Sequence, residues 1–191
     1  MGNPKAAVKL IEIASLSCHH CKAFEDEGAA ALIENYVKPG RVSWEFRTYL
    51  IHGPLDMPAN LVVACNGAKN FFPLVQALYK DQDKWIAKLQ AVPQEQVAQV
   101  QNLPTNQTFV QLASLGGLQD WAAARGVPQA KSNQCLSDQK RIDHQVQITT
   151  NVNDQYPEFA GTPSFIINGK MLDKTGTWEK LKPQLDAALN G

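Results

Sequence analysis

Residues 7–24 read Ala7-Val8-Lys9-Leu10-Ile11-Glu12-Ile13-Ala14-Ser15-Leu16-Ser17-Cys18-His19-His20-Cys21-Lys22-Ala23-Phe24, and this stretch decides the fold. Up to Ala14 it mixes apolar alternation with β-branched residues and then meets Ser15-Leu16-Ser17, the pattern of a strand ending in a turn. Beyond it an amphipathic helix opens: from Lys22 to Tyr36 the apolar Phe24, Leu32, Ile33 and Tyr36 sit among alanines and acids, with no proline before Pro39. Cys18 and Cys21 therefore fall where a strand hands over to a helix. A CxxC spacing lets two sulfurs close a small ring within one helical turn, and the unpaired N–H groups and dipole of a helix start favour a thiolate. We expect Cys18 to face outward as the nucleophile. Cys21, one turn further in, is expected to be covered and to attack only the mixed disulfide formed at Cys18. The same spacing could supply half of a zinc site, completed by His19, His20 or the distant Cys65 and Cys135. No second CxxC accompanies it, so the redox reading is preferred and no metal is expected.

Working outward, Arg41 to Ile51 alternates Val42, Trp44 and Phe46 against polar neighbours before the Gly53-Pro54 break, which predicts a second strand and completes a βαβ unit. From about Leu55 to Val152 only helical spacing recurs, in Leu61 to Cys65, Phe71 to Tyr79, Trp85 to Leu89, Phe109 to Leu115 and Leu118 to Arg125. Gly67, Gly116-Gly117 and Gly126-Val127-Pro128 offer the stops, while Asn106 and Ser137 are expected as caps. A last helix of this block is expected from about Asp138 to Gln155. After Gly161-Thr162-Pro163, Ser164 to Ile167 and Lys170 to Leu172 read as a hairpin around Asn168-Gly169, with a helix from about Trp178 to Leu189. We thus expect an α/β chain in three parts: 1–55 as βαβ, 56–152 as a helical insertion and 153–191 as ββα.

Composition narrows the classes. Eighteen Lys and Arg balance eighteen Asp and Glu, so no net field draws the chain to nucleic acid or anionic lipid. No apolar run approaches the roughly 18 to 20 residues of a membrane helix, and a soluble chain that does not span the bilayer is expected. The amino terminus shows no secretory signal, which also fits a mature exported protein after signal removal.

The order βαβ, helical block, ββα around Cys18-His19-His20-Cys21 resembles the DsbA-like branch of the thioredoxin superfamily, and the resemblance covers nearly the whole chain. It implies a thioredoxin fold carrying a helical insertion between its halves. Gly161-Thr162-Pro163-Ser164-Phe165 matches the family's cis-proline loop, which implies that Thr162 and Pro163 face the cysteines and that the Thr162 backbone pairs with a substrate strand. Glu12, six residues before Cys18, occupies the place of a buried acid. Glu25 matches a second acid, and Arg47 sits where a basic partner is found. His20 matches the family's histidine and is expected to stabilise the Cys18 thiolate. His19 departs from the usual proline and leaves the potential open. The implied activity is thiol:disulfide exchange that introduces disulfides into unfolded or reduced exported proteins, in the bacterial periplasm, with no cofactor beyond the Cys18–Cys21 pair. A DsbB-like, quinone-linked membrane protein is the implied recharging partner. A reductase or isomerase of the same fold is the alternative, and a peptide-binding holdase with incidental cysteines is a more distant one.

Cys65 and Cys135 stand 70 positions apart, both near predicted helix ends inside the insertion, and are expected to form a structural disulfide rather than stay as two buried thiols. His52 and His144 carry no motif and are read as surface or cap residues. Asn106-Gln107-Thr108 has the form of a glycosylation sequon, to which no role is given.

Overall fold

β1, Val8–Ala14, is almost wholly buried, and a strand covered on both faces must be apolar on both. It sits inside a four-stranded sheet with β2 (Val42–Thr48), β3 (Ser164–Ile167) and β4 (Lys170–Met171), in the order β2-β1-β3-β4. The computed structural model describes residues 1–191. β1 runs parallel to β2, which requires a crossover, and antiparallel to β3. The crossover is helix α1 over 19–37. Its α-helical stretches His19–Phe24 and Ala30–Leu32 alternate with π-turns at Glu25–Ala29 and Ile33–Val37. β3 and β4 close through Asn168-Gly169, both at positive φ (50° and 87°), as a tight hairpin turn of this dipeptide demands.

The sheet has two apolar faces. On one, Ile13 and Ile166 pack with Val152, flanked by Ile11, Tyr49, Tyr156, Phe159 and Met171. On the other, register sets Glu12 opposite Phe165 of β3, and Phe165 meets Phe24 of α1 with ring centroids 4.7 Å apart. The C-terminal helix Trp178–Asn190 also packs against α1: a Cβ on Gly28 would stand 2.7 Å from the Trp178 Cβ, so only glycine permits this approach. Tyr36 Oη donates to Asp186 at 2.7 Å.

The chain divides into two compact units, 1–51 with 148–191, and 52–147. The second is helical: α2 (Met57–Ala64), α3 (Ala68–Lys80), α4 (Gln82–Gln90), α5 (Gln94–Gln101), α6 (Thr105–Leu115), α7 (Leu118–Ala123), α8 (Gln129–Ser137) and the start of α9 (Gln139–Gln155). α2 is buried all round, from Met57 through Val63, which marks it as the core helix of this unit. The division falls at 51/52 and 147/148, where the sequence reading cuts at 55/56 and 152/153. The last turns of α9 belong with the sheet: Thr149 Oγ1 accepts the Leu50 N–H at 3.2 Å, Asn153 Oδ1 accepts Tyr49 Oη–H at 3.0 Å, and Val152 lies in the sheet's own cluster.

The expected caps are corrected. Asn106 lies inside α6, and Ser137 ends α8 with its hydroxyl donating back to the Asn133 carbonyl at 2.8 Å. α5, α6 and α8 start instead after Pro93, Pro104 and Pro128, whose fixed φ suits an entry where no N–H is needed. Asp138 Oδ1 accepts the Lys140 N–H at 3.0 Å at the start of α9. No helix is long and apolar enough to cross a membrane.

Candidate active site

Cys18 caps α1. Its backbone is extended (φ −80°, ψ 121°), its N–H donates to the Ser15 carbonyl at 3.1 Å, and its own carbonyl accepts the Lys22 N–H at 3.1 Å. The serine turn after β1 therefore fixes the sulfur at the positive end of the helix. Cys21 follows on the first turn and is fully buried. Cys18 is less open than the sequence suggests, only 6% exposed, because the loop carrying the cis Thr162–Pro163 peptide lies over it. The Cys18 thiol donates to the Thr162 carbonyl oxygen at 3.3 Å. Three segments far apart in sequence, the serine turn, the start of α1 and the Thr162–Pro163 loop, thus meet at one sulfur.

The two thiols are driven in opposite directions. A hydrogen bond from Cys21 is the largest influence holding Cys18 down, against burial, which opposes ionisation. The Thr162 side chain and the backbone N–H groups of Cys21 and His20 add to the effect, and the Cys18 pKa falls to about 5. Burial pushes the Cys21 thiol well above its ordinary value, with further upward push from the hydrogen bond to Cys18 and the charges of Cys18 and Glu12. Between about pH 5 and the ordinary thiol range, Cys18 is the thiolate and Cys21 keeps its proton.

Glu12 lies on the α1 face of β1 and is 1% exposed. Burial raises its carboxyl pKa well above the usual carboxylate range and the charge of Glu25 raises it further, against a hydrogen bond from the Trp44 indole at 3.1 Å. Glu25 on α1 therefore acts on Glu12 as a like charge. Arg47 does not reach this acid. It pairs in register with Ile13, on the opposite face of the sheet, and its Nε donates to Glu45 at 2.6 Å. The donor that Glu12 does have, Trp44, is the functional-site residue that sequence reasoning missed. The alternation of Val42, Trp44 and Phe46 along β2 was the available signal for its face.

His19 and His20 are both exposed. His20 contributes its backbone N–H to Cys18, while its side chain helps line a groove of about 510 Å³ with Thr162, Pro163, Met171, Lys174 and Lys180. His52 and His144 belong to the helical unit. The His52 N–H donates to buried Asp56 at 2.7 Å, and His144 is exposed on α9. Cys65 and Cys135 are joined in a disulfide, with Cα atoms 5.8 Å apart, and so have no thiolate to lend to a zinc site at Cys18 and Cys21. It ties the end of α2 to α8 within the helical unit.

Comparison with known proteins agrees with this geometry. The family model described as thioredoxin matches residues 1–187. A protein-disulfide isomerase of Novosphingobium aromaticivorans is 33% identical in its crystal structure, with a TM-score of 0.92 covering 100% of this chain and 96% of that one. The α-DsbA1 of Wolbachia pipientis, 22% identical, shares the fold with a TM-score of 0.77 over 100% of this chain and 89% of its own. A provisionally named protein-disulfide oxidoreductase of Rickettsia bellii is 27% identical over 170 residues, 88% of this chain. Its counterpart in Rickettsia prowazekii is 25% identical over 191 residues, the whole of this chain. The chain spans 56% and 61% of the lengths of these two relatives.

Proposed function

Because this chain belongs to the thioredoxin family, we propose that it is a thiol:disulfide oxidoreductase that passes the Cys18–Cys21 disulfide to unfolded or reduced exported proteins. The observation that carries this reading is the placement of the two thiols, Cys18 at the start of α1 within reach of the Thr162 carbonyl and Cys21 fully buried one turn on, and the opposite directions in which their surroundings push them support it. In the oxidised protein a substrate thiolate attacks the Cys18 sulfur. The Cys18–Cys21 bond breaks, its electron pair leaves on Cys21, and the protonated Glu12 carboxyl supplies the proton that the buried sulfur needs. A second substrate thiolate then attacks the substrate sulfur of the mixed disulfide, the substrate disulfide forms, and Cys18 departs as a stabilised thiolate. Two substrate thiols are oxidised and one protein disulfide is reduced.

The low Cys18 pKa supports the oxidase direction. At pH 7 a thiol held near 5 rather than near 9 favours the reduced folded protein by about 2.7 kcal/mol, since only the two units below ambient pH count. That makes the disulfide more oxidising by about 60 mV for a two-electron couple. The Thr162 carbonyl and the groove beside it offer a substrate strand a backbone acceptor next to the reacting sulfur. The Cys65–Cys135 disulfide suits an oxidising compartment, and we assign the protein to the bacterial periplasm on that ground. Recharging then requires an oxidant, for which a DsbB-like, quinone-linked membrane protein is the fitting class.

A reductase or isomerase is the second reading, favoured by the 33% identity to a protein named as a disulfide isomerase. Incubation with reduced, unfolded ribonuclease A and with its scrambled form separates the two. Oxidation of the reduced client by the disulfide form supports the oxidase. Recovery only from the scrambled client, by the reduced form, supports the isomerase, and no turnover of either removes both.

A further inference from the structure

Glu12 has no cation. None of the ion pairs in the chain includes it, and the arginine that the sequence offers is on the other side of the sheet. What it has is Trp44. Register along the parallel pair sets Leu10 beside Trp44 and Glu12 beside Phe46, so the Trp44 and Glu12 side chains project from one face of the sheet. The Trp44 indole Nε1–H donates to Glu12 Oε2 at 3.1 Å, with Trp44 2% and Glu12 1% exposed. A ring of this size, 2% exposed on β2 and held against the central strand β1, has little room to turn away.

We infer that Trp44 is the positioning residue of the buried acid: its indole N–H holds one carboxyl oxygen of Glu12, fixes the side chain beneath the cysteines, and leaves the other oxygen to exchange a proton with Cys21. The inference rests on the reading of Cys21 as the buried partner in disulfide exchange. A neutral donor has a different consequence from a cation. A lysine or arginine would strip the proton from the carboxyl well below neutrality, whereas an indole favours the carboxylate through one hydrogen bond and adds no charge. The groups that face Glu12 push the other way: Glu25 and Cys21 from α1 both disfavour a second negative charge, while Phe46 of β2 and Phe165 of β3 are uncharged. Burial and these charges therefore favour the protonated form of Glu12, which can supply a proton to Cys21 as it leaves. Trp44 limits how tightly it is held, so that the carboxylate can take the proton back when Cys21 attacks a mixed disulfide.

Two readouts on the full chain test this. The Glu12 carboxyl is titrated by infrared or ¹³C NMR in glutamate-labelled protein, with Glu12→Gln for assignment. In single turnovers of the reduced protein with a disulfide-bonded peptide, mixed-disulfide formation by the Cys18 thiolate is timed separately from its resolution by Cys21. Trp44→Phe should raise the Glu12 midpoint by about 1 pH unit, a tenfold change in its ionisation constant. It should also slow resolution about tenfold below that midpoint, restore it at higher pH, and leave formation unchanged. A benzothienylalanine placed at position 44 keeps the bicyclic volume without the N–H and must reproduce these shifts, which keeps the test decisive if the phenylalanine variant folds poorly. An unmoved Glu12 midpoint in the isostere, or equal slowing of both steps, would overturn the inference. Absence of any mixed disulfide in the unmodified protein would instead sink the exchange reading, and the Glu12 titration would still decide the role of Trp44.

Discussion

The Cys18 thiol rests against the Thr162 carbonyl oxygen at 3.3 Å, so a helix start and a proline loop 144 positions further along the chain share one hydrogen bond. A carbonyl is a poor neighbour for a thiolate. When Cys18 ionises or enters a disulfide, its S–H is lost and the Thr162 oxygen is released as an acceptor. The group that loses its partner is the one a substrate strand can use.

The titration of Cys18 follows from its donors. Thiolate absorbance should show a midpoint near pH 5 in the reduced protein. Removing the largest contributor, in Cys21→Ala, should raise that midpoint by about 1 to 2 units, the worth of one hydrogen bond to a charged group. His20→Ala, which keeps the backbone N–H, should move it less.

The potential should carry the same signature. Below pH 5 reduction takes up two protons for two electrons and the potential falls by about 59 mV per pH unit. Above pH 5 Cys18 stays ionised, one proton is taken up, and the slope halves to about 30 mV. Equilibration against glutathione from pH 4 to 8 measures this, and a single steep slope throughout would show that Cys18 is an ordinary thiol.

Glu12 should weaken the fold as pH rises. A carboxyl whose folded pKa lies above its unfolded one contributes stability that is complete below about pH 4.5 and is lost as pH climbs through the folded value. Glu12→Gln should match the natural protein near pH 4 and then exceed it, by up to about 1.4 kcal/mol for each unit between the two pKa values. Urea unfolding at pH 4, 6 and 8 reads the trend. Equal stabilities at all three would contradict the raised pKa.

The Cys65–Cys135 disulfide should be a staple outside the reaction. Closing a loop of sequence separation 70 limits the unfolded chain by about 4 kcal/mol in the loop-entropy model. The Cys65→Ala, Cys135→Ala double variant should therefore melt earlier yet exchange disulfides at the natural rate below its transition. Lost exchange in a folded double variant would place these cysteines in the cycle.

Much of this was legible in the sequence, because it depends on local pattern. The strand ahead of Ser15, the helix opening at Cys18, the Asn168-Gly169 turn and the helical block all follow from periodicity and turn chemistry within short windows. What escaped depends on pairing between strands. The resemblance gave Arg47 as a basic partner, but a shift of one residue sends a side chain to the other face of the sheet, and register sets Trp44, not Arg47, on the face of Glu12. Cys18 was expected to face outward from its place at the helix start, but the Thr162 loop, from the far end of the chain, covers it. The proline-led helix starts were missed for a different reason: Asn106 and Ser137 are good caps by type, but Pro104 and Asp138 stand where the helices begin.

The central claim is that Cys18 alone forms the bond to substrate, and that Cys21 is its buried partner, leaving Cys18 when a substrate thiolate attacks and releasing substrate from Cys18 when the reduced protein meets a disulfide. Mass spectrometry of Cys18→Ser and Cys21→Ser, each mixed with a disulfide-bonded peptide at pH 7 and quenched with acid, tests it most directly. The account predicts a one-to-one adduct on Cys18 in Cys21→Ser, stable because no buried thiol can release it, and none in Cys18→Ser. An adduct on Cys21 in Cys18→Ser, or no adduct in either variant, would contradict it.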